Sequence, residues 1–131
     1  MKKYMLVDDN SFSLSFTEEL LSQVFQDEEV EFVQVDNGDE AVKQFAESAP
    51  GEFAAIFMDI IMPGKTGLVI LREMRSLERE DAKTVPVIMV SALAEDNNAI
   101  QPEERAMITD FIQKPLSVEK FQNALRKINE L

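Results

Sequence analysis

Five short apolar runs punctuate this chain, and each is followed by a longer stretch. Tyr4-Met5-Leu6-Val7 ends abruptly at Asp8-Asp9-Asn10, the pattern of a strand buried on both faces. Glu31 to Val35 alternates polar and apolar residues, as an edge strand does. Phe53 to Met58 is the longest uncharged run and stops at Asp59. Val85 to Val90 carries Pro86, which a strand tolerates at its first residues, and Phe111-Ile112-Gln113 stops at Lys114-Pro115. Strand and helix alternating five times predict an α/β fold, a parallel sheet with helices on both faces. No linker or repeat divides the chain. Its 131 residues suit one domain, 1–131, that buries about two thirds of its unfolded surface.

The first helix is expected from Phe12, Phe16, Leu20 and Val24 at spacing four, widened by Leu21 and Phe25 and capped by Asn10 or Ser11. The second follows the Asp36-Asn37-Gly38 turn, with Ala41, Val42, Phe45 and Ala46 on one face. After the Pro63-Gly64 loop, Leu68, Leu71, Met74 and Arg75 carry the third, and the charged Leu77 to Thr84 stretch reads as solvated. Pro102 cannot sit in a helix interior, so the fourth is short or restarts with that proline in its first turn. Ser117 caps the last, whose Phe121, Leu125, Ile128 and Leu131 share a face with Ala124.

There is no cysteine and no histidine. Disulfides, thiolate metal sites, His-ligated zinc and Ser-His-Asp hydrolysis are therefore excluded together. The formal net charge of -12 repels phosphate backbones and anionic lipid heads, so neither nucleic acid nor membrane is an expected partner. The apolar run behind Met1-Lys2-Lys3 breaks at Asp8, too short for a signal-peptide core, and a cytoplasmic location is expected.

In an open parallel sheet, reactive groups collect at the carboxyl ends of strands. Here those ends carry Asp8-Asp9, Asp59, Ser91 and, near the fifth, Lys114. If the first and third strands are neighbours, three carboxylates converge, and they repel one another unless a hard cation sits among them. Oxygen-only ligands suit Mg²⁺, which binds through one or two carboxylates plus substrate phosphate. A carboxylate is also a competent nucleophile for phosphoryl transfer, a reaction that needs mainly positioning and electrostatics.

Leu6-Val7-Asp8-Asp9-Asn10, Met58-Asp59-Ile60-Ile61-Met62-Pro63-Gly64-Lys65-Thr66-Gly67, Val90-Ser91-Ala92 and Gln113-Lys114-Pro115 resemble, in order, the four signature elements of response-regulator receiver domains. Gly38-Asp39-Glu40-Ala41-Val42 resembles a secondary pattern of that family. The resemblance runs from Leu6 to Pro115. It implies a flavodoxin-like, doubly wound five-stranded sheet of order 2-1-3-4-5 with five helices. It further implies that Asp59 accepts a phosphoryl group from a sensor histidine kinase or histidine phosphotransfer protein. Mg²⁺ or Mn²⁺ would be held by Asp9 directly, Asp8 through water, Asp59 and the Ile61 backbone carbonyl. Ser91, with Ala92 beside it, and Lys114 would receive the phosphoryl oxygens. Phe111 would be the aromatic switch, filling space that opens when Ser91 moves inward.

The family is one of switches, not enzymes, in which self-catalysed transfer and self-dephosphorylation are the only chemistry. Ile61 and Leu93, two residues after Asp59 and Ser91, cannot orient a water, so self-dephosphorylation is expected to be slow. Output is expected through a downstream protein target or onward phosphoryl transfer, from a stand-alone regulator or an excised receiver. Met107-Ile108 stands where receivers usually carry a smaller pair, and is expected to push the fourth helix outward or rebuild that loop. Taken singly, each site residue has a plainer role: Asp8-Asp9 as a strand-end turn, Ser91 as a strand terminus, Phe111 as core. A Mg²⁺-dependent aspartyl-phosphate hydrolase is the alternative, weakened because such enzymes place a second Asp where Ile61 stands. A phosphorylation-independent binding module is the other.

Overall fold

The computed structural model describes residues 1–131 throughout. Strands β1 (Lys2–Val7), β2 (Val30–Val35), β3 (Phe53–Met58), β4 (Val87–Ser91) and β5 (Asp110–Gln113) form one parallel sheet in the order β2-β1-β3-β4-β5. This is the order that the resemblance implies. The connections carry six helices: α1 (Ser11–Val24), α2 (Gly38–Glu47), α3 (Gly67–Arg75), α4 (Asp81–Thr84), α5 (Pro102–Met107) and α6 (Val118–Lys127).

Alternate strand residues point to opposite faces, so the sheet feeds two cores. Met5, Val7, Ile56, Met58, Val87 and Met89 pack with α2, α3 and Ile100 on one side. Tyr4, Leu6, Phe57, Ile88, Val90 and Ile112 pack with α1 and α6 on the other. Met58, Met62 and Met74 are all buried packing residues. Four helices start on side-chain caps: the oxygens of Asn10, Asn37, Thr66 and Ser117 accept the amides of Ser13, Glu40, Val69 and Lys120. Each satisfies an amide that the first helical turn leaves without a partner.

Three details differ from the sequence reading. The sixth helix is α4, a single turn inside the stretch read as solvated. Its Ala82 is buried, and Arg79 hydrogen-bonds the Phe45, Ala46 and Ser48 carbonyls at the end of α2. The α1 face is also different: Leu14, Thr17, Leu20 and Leu21 are buried, while Phe12 is 85% and Phe16 50% exposed. Leu131 lies beyond the end of α6 and is exposed, so it does not extend that helix's apolar face. At the end of α5, Met107 and Ile108 are half-buried against the α2–α3 core, and the Arg75 guanidinium donates to the Met107 carbonyl. Pro102 does open α5, and the helix is short.

Strand pairing sets the position of the acidic residues. Val7 pairs with Met58 across β1 and β3, so Asp8 and Asp59 leave the sheet side by side.

Candidate functional site

The backbones beneath the site are fixed by hydrogen bonds that continue the ladder past the strand ends. The Asp8 amide donates to the Val35 carbonyl at 3.1 Å, the Asp59 amide to Val7 at 3.0 Å, and the Lys114 amide to Ser91 at 2.8 Å. Three segments far apart in sequence therefore present their side chains from fixed main chain. The Gly67 amide donates to the Ile60 carbonyl at 2.8 Å and closes the loop after β3 onto its strand.

Asp8, Asp9 and Asp59 each offer a carboxylate oxygen within 4.8 Å of the others, with Asp8 and Asp59 buried and Asp9 exposed. Lys114 Nζ stands 3.8 Å from Asp8 Oδ2 and 3.6 Å from Asp59 Oδ2. The Asn10 amide donates to Asp8 Oδ1 at 2.9 Å and the Ile61 amide to Asp59 Oδ1 at 3.2 Å. Three acidic groups face one ammonium. Burial holds the Asp8 carboxyl above its ordinary range, and the charges of Asp59 and Asp9 add to that, against the opposing Asn10 amide and Lys114 charge.

These groups line an open cleft of about 270 Å³ together with Ser13, Ile61 and Ala92. The donor set is oxygen-only, under-neutralised and close enough for one small ion to be shared, which fits a hard divalent cation of the Mg²⁺ type. The cleft remains open to solvent, so the Asp59 side of it can be reached from outside.

Of the residues singled out from sequence, Asp8, Asp9, Asp59, Ile61, Ala92 and Lys114 meet in this cleft. Ser91 does not line it. Its side chain is fully buried at the end of β4, and its Oγ accepts from the Leu93 amide at 3.3 Å. Phe111 is half-buried on the α2–α3 side of the sheet and faces a separate cavity with Glu95, Arg105 and Ile108. Ser13 and Thr17 were not anticipated: Ser13 joins the cleft wall, and Thr17 lies behind Asp8 and Asp59. The signal for Thr17 was its place three residues after Leu14 and four before Leu21, a hydroxyl on the core face of α1.

Comparison with known proteins follows the same outline. Residues 5–126 match the family model described as the response regulator receiver domain. The chain is 28% identical over 125 residues to the chemotaxis protein CheY of Bacillus subtilis (strain 168), covering 95% of each. It is 31% identical over 115 residues to the transcriptional regulatory protein ResD of the same organism, but spans only 42% of that protein's length. The receiver domain of a sensor histidine kinase from Pseudomonas aeruginosa PAO1 has the same fold, with a TM-score of 0.78 at 24% identity over 98% of each chain.

Proposed function

The chain belongs to the response regulator receiver domain family, and on that premise we propose that Asp59 accepts a phosphoryl group from a phosphohistidine donor. The observation that carries the reading is the convergence of Asp8, Asp9, Asp59 and Lys114 around one cleft. The chain is a signalling module of two-component phosphorelay systems and not a classical enzyme.

Asp8, Asp9 and Asp59, with the Ile61 carbonyl, would hold Mg²⁺, or Mn²⁺ in its place. When bound, the ion neutralises negative charge gathering on the transferred group. The Pseudomonas receiver carries a magnesium ion coordinated in its active-site cleft, which supports the assignment. An Asp59 carboxylate oxygen forms the new bond to phosphorus while the donor's phosphorus–nitrogen bond breaks, and the imidazole nitrogen leaves with that electron pair. The Ile61 amide and Lys114 keep the Asp59 carboxylate oriented for attack. Lys114 then ion-pairs with a phosphoryl oxygen. The Ser91 hydroxyl, now turned to the Leu93 amide, reaches the phosphoryl group by moving inward with Ala92, and Phe111 fills the space released.

The donor is a sensor histidine kinase or a histidine phosphotransfer protein. The recipient of the signal is a protein target, contacted in the cytoplasm by the 1–131 receiver. No helix is long and apolar enough to cross a membrane. Incubation with a small phosphodonor and Mg²⁺, followed by intact mass, tests the reading. The expected result is a gain of one phosphoryl group that is lost in Asp59→Asn and without the metal. No gain under any condition leaves only a phosphorylation-independent binding role.

A further inference from the structure

Behind the acidic cleft, between α1 and the sheet, lies a small cavity of about 10 Å³ whose polar wall is formed by Asp8, Thr17 and Asp59. Leu6, Leu14 and Val90 contribute to the remaining wall. That is about the space of one water-sized sphere, and a cavity of this size holds a water only where two to four polar partners converge.

Thr17 is 8% exposed, yet its hydroxyl pairs with no donor or acceptor of the protein. A helical threonine commonly returns its hydroxyl to the carbonyl four residues back. Ser76 does so onto Arg72, and Ser48 bonds the Phe45 carbonyl, but Thr17 makes no such bond to Ser13. No fully enclosed side-chain polar atom in the molecule lacks a partner, so the Thr17 oxygen keeps some accessible surface, and Thr17 lines this cavity together with Asp8 and Asp59.

We infer that Thr17 is a positioning residue for the cleft: its hydroxyl holds one water behind Asp8 and Asp59 that orients both carboxylates toward the divalent cation. The inference rests on the cation reading of the cleft given above. The donors and acceptors balance. The water accepts from the Thr17 hydroxyl and gives one hydrogen to each carboxylate, on the side away from the cleft. Two carboxylates that repel one another thereby gain a shared donor, and their free oxygens stay aimed at the ion. Outer partners of this kind orient metal ligands without touching the metal.

The chemistry of position 17 provides a crossed test. Valine keeps the shape of threonine and loses the hydroxyl, while serine keeps the hydroxyl and loses a buried methyl. Mg²⁺ is titrated into the wild-type chain, Thr17→Val and Thr17→Ser, following the amide resonances of Asp59 to Ile61, and each protein is melted without metal. Thr17→Val is expected to bind Mg²⁺ about tenfold more weakly with no loss of Tm. Thr17→Ser is expected to bind like the wild type with a lowered Tm. Wild-type affinity in Thr17→Val, or equal weakening in both variants, overturns the inference while leaving the cleft a cation site. A wild-type chain that binds no Mg²⁺ overturns both.

Discussion

A Cβ placed on Gly67 would stand 2.0 Å from the carbonyl oxygen of Asp59 and 2.9 Å from its carbonyl carbon. The obstacle is backbone at the end of β3, so no side chain can swing aside to make room. The start of α3 is thus pressed directly against Asp59, whose carboxylate lines the acidic cleft. Gly67→Ala is expected to push α3 off the strand end and destabilise the fold by about 1–3 kcal/mol. Mg²⁺ affinity should fall with it. Gly51→Ala, in a left-handed turn with open space around it, is expected to cost about 1 kcal/mol and leave metal binding unchanged. Melting curves and Mg²⁺ titrations on both variants make the comparison.

Burial and neighbouring acids raise the folded-state pKa of Asp8. The folded chain therefore binds that proton more tightly than the unfolded chain. Without metal, the Asp8 contribution to stability falls as pH rises from the ordinary carboxylate value to the raised one, and the loss is complete above it. Asp8→Asn removes this penalty. Its Tm in metal-free buffer near pH 7 should exceed that of the wild type by about 2–5 °C. The gap should close at about pH 3, where Asp8 is protonated in both states. A gap of the same size at both pH values would contradict the electrostatic origin.

Arg75 is a half-buried cation with no acidic partner. It donates to the carbonyls of Ala82, Val85 and Met107, with the Val85 contact at 2.6 Å, and burial pushes its pKa down. One side chain thereby ties α3 to α4 and to the end of α5. Arg75→Met strands these carbonyls and is expected to cost about 2–4 kcal/mol in urea unfolding. Arg75→Lys should recover little of this, because an ammonium lacks the planar fork that spans the three acceptors.

Ile61 is 54% exposed at the cleft mouth, and Leu93 packs half-buried against the α2–α3 core. Neither side chain can hold a water in line with an acyl phosphate on Asp59. The phosphorylated chain is expected to lose its label slowly. Leu93→Glu, which supplies a general base, should speed that loss by up to about a hundredfold. Intact mass over time reads the decay, and an unchanged rate in the variant would refute the account.

The strands were legible because central strands of a parallel sheet are apolar on both faces, and Tyr4 to Val7 and Phe53 to Met58 have no other way to be buried. The order of the strands came from resemblance, since nothing in the spacing of five runs dictates which are neighbours. The first helix shows how a regular pattern can mislead. Each step of four residues overshoots a helical turn by about 40°, so Phe12, Phe16, Leu20 and Val24 wind from solvent toward the core. Leu14, Thr17 and Leu21 mark the true inner face. The single turn of α4 has no periodicity to detect, and only Ala82 marks its burial. The cleft was legible as a set of residue types, but the burial of Ser91 away from it was not. Which way a small hydroxyl turns depends on the Leu93 amide, and no pattern in the chain encodes that contact.

No residue of α5 is fully buried. Glu104 accepts the Gln101 amide at its start, Arg105 reaches back to the carbonyls of Glu95 and Asn97, and Arg75 holds its last carbonyl. Bonds of this kind can be traded for water at a net cost of about 0.5–1.5 kcal/mol each. The segment is fastened at points, as if by buttons, where the strands are a block set in mortar. A binding protein that favours one placement of α5 has to outbid those fastenings, the Arg72–Glu104 pair and the half-burial of Met107, while the sheet that carries Asp59 stays as it is.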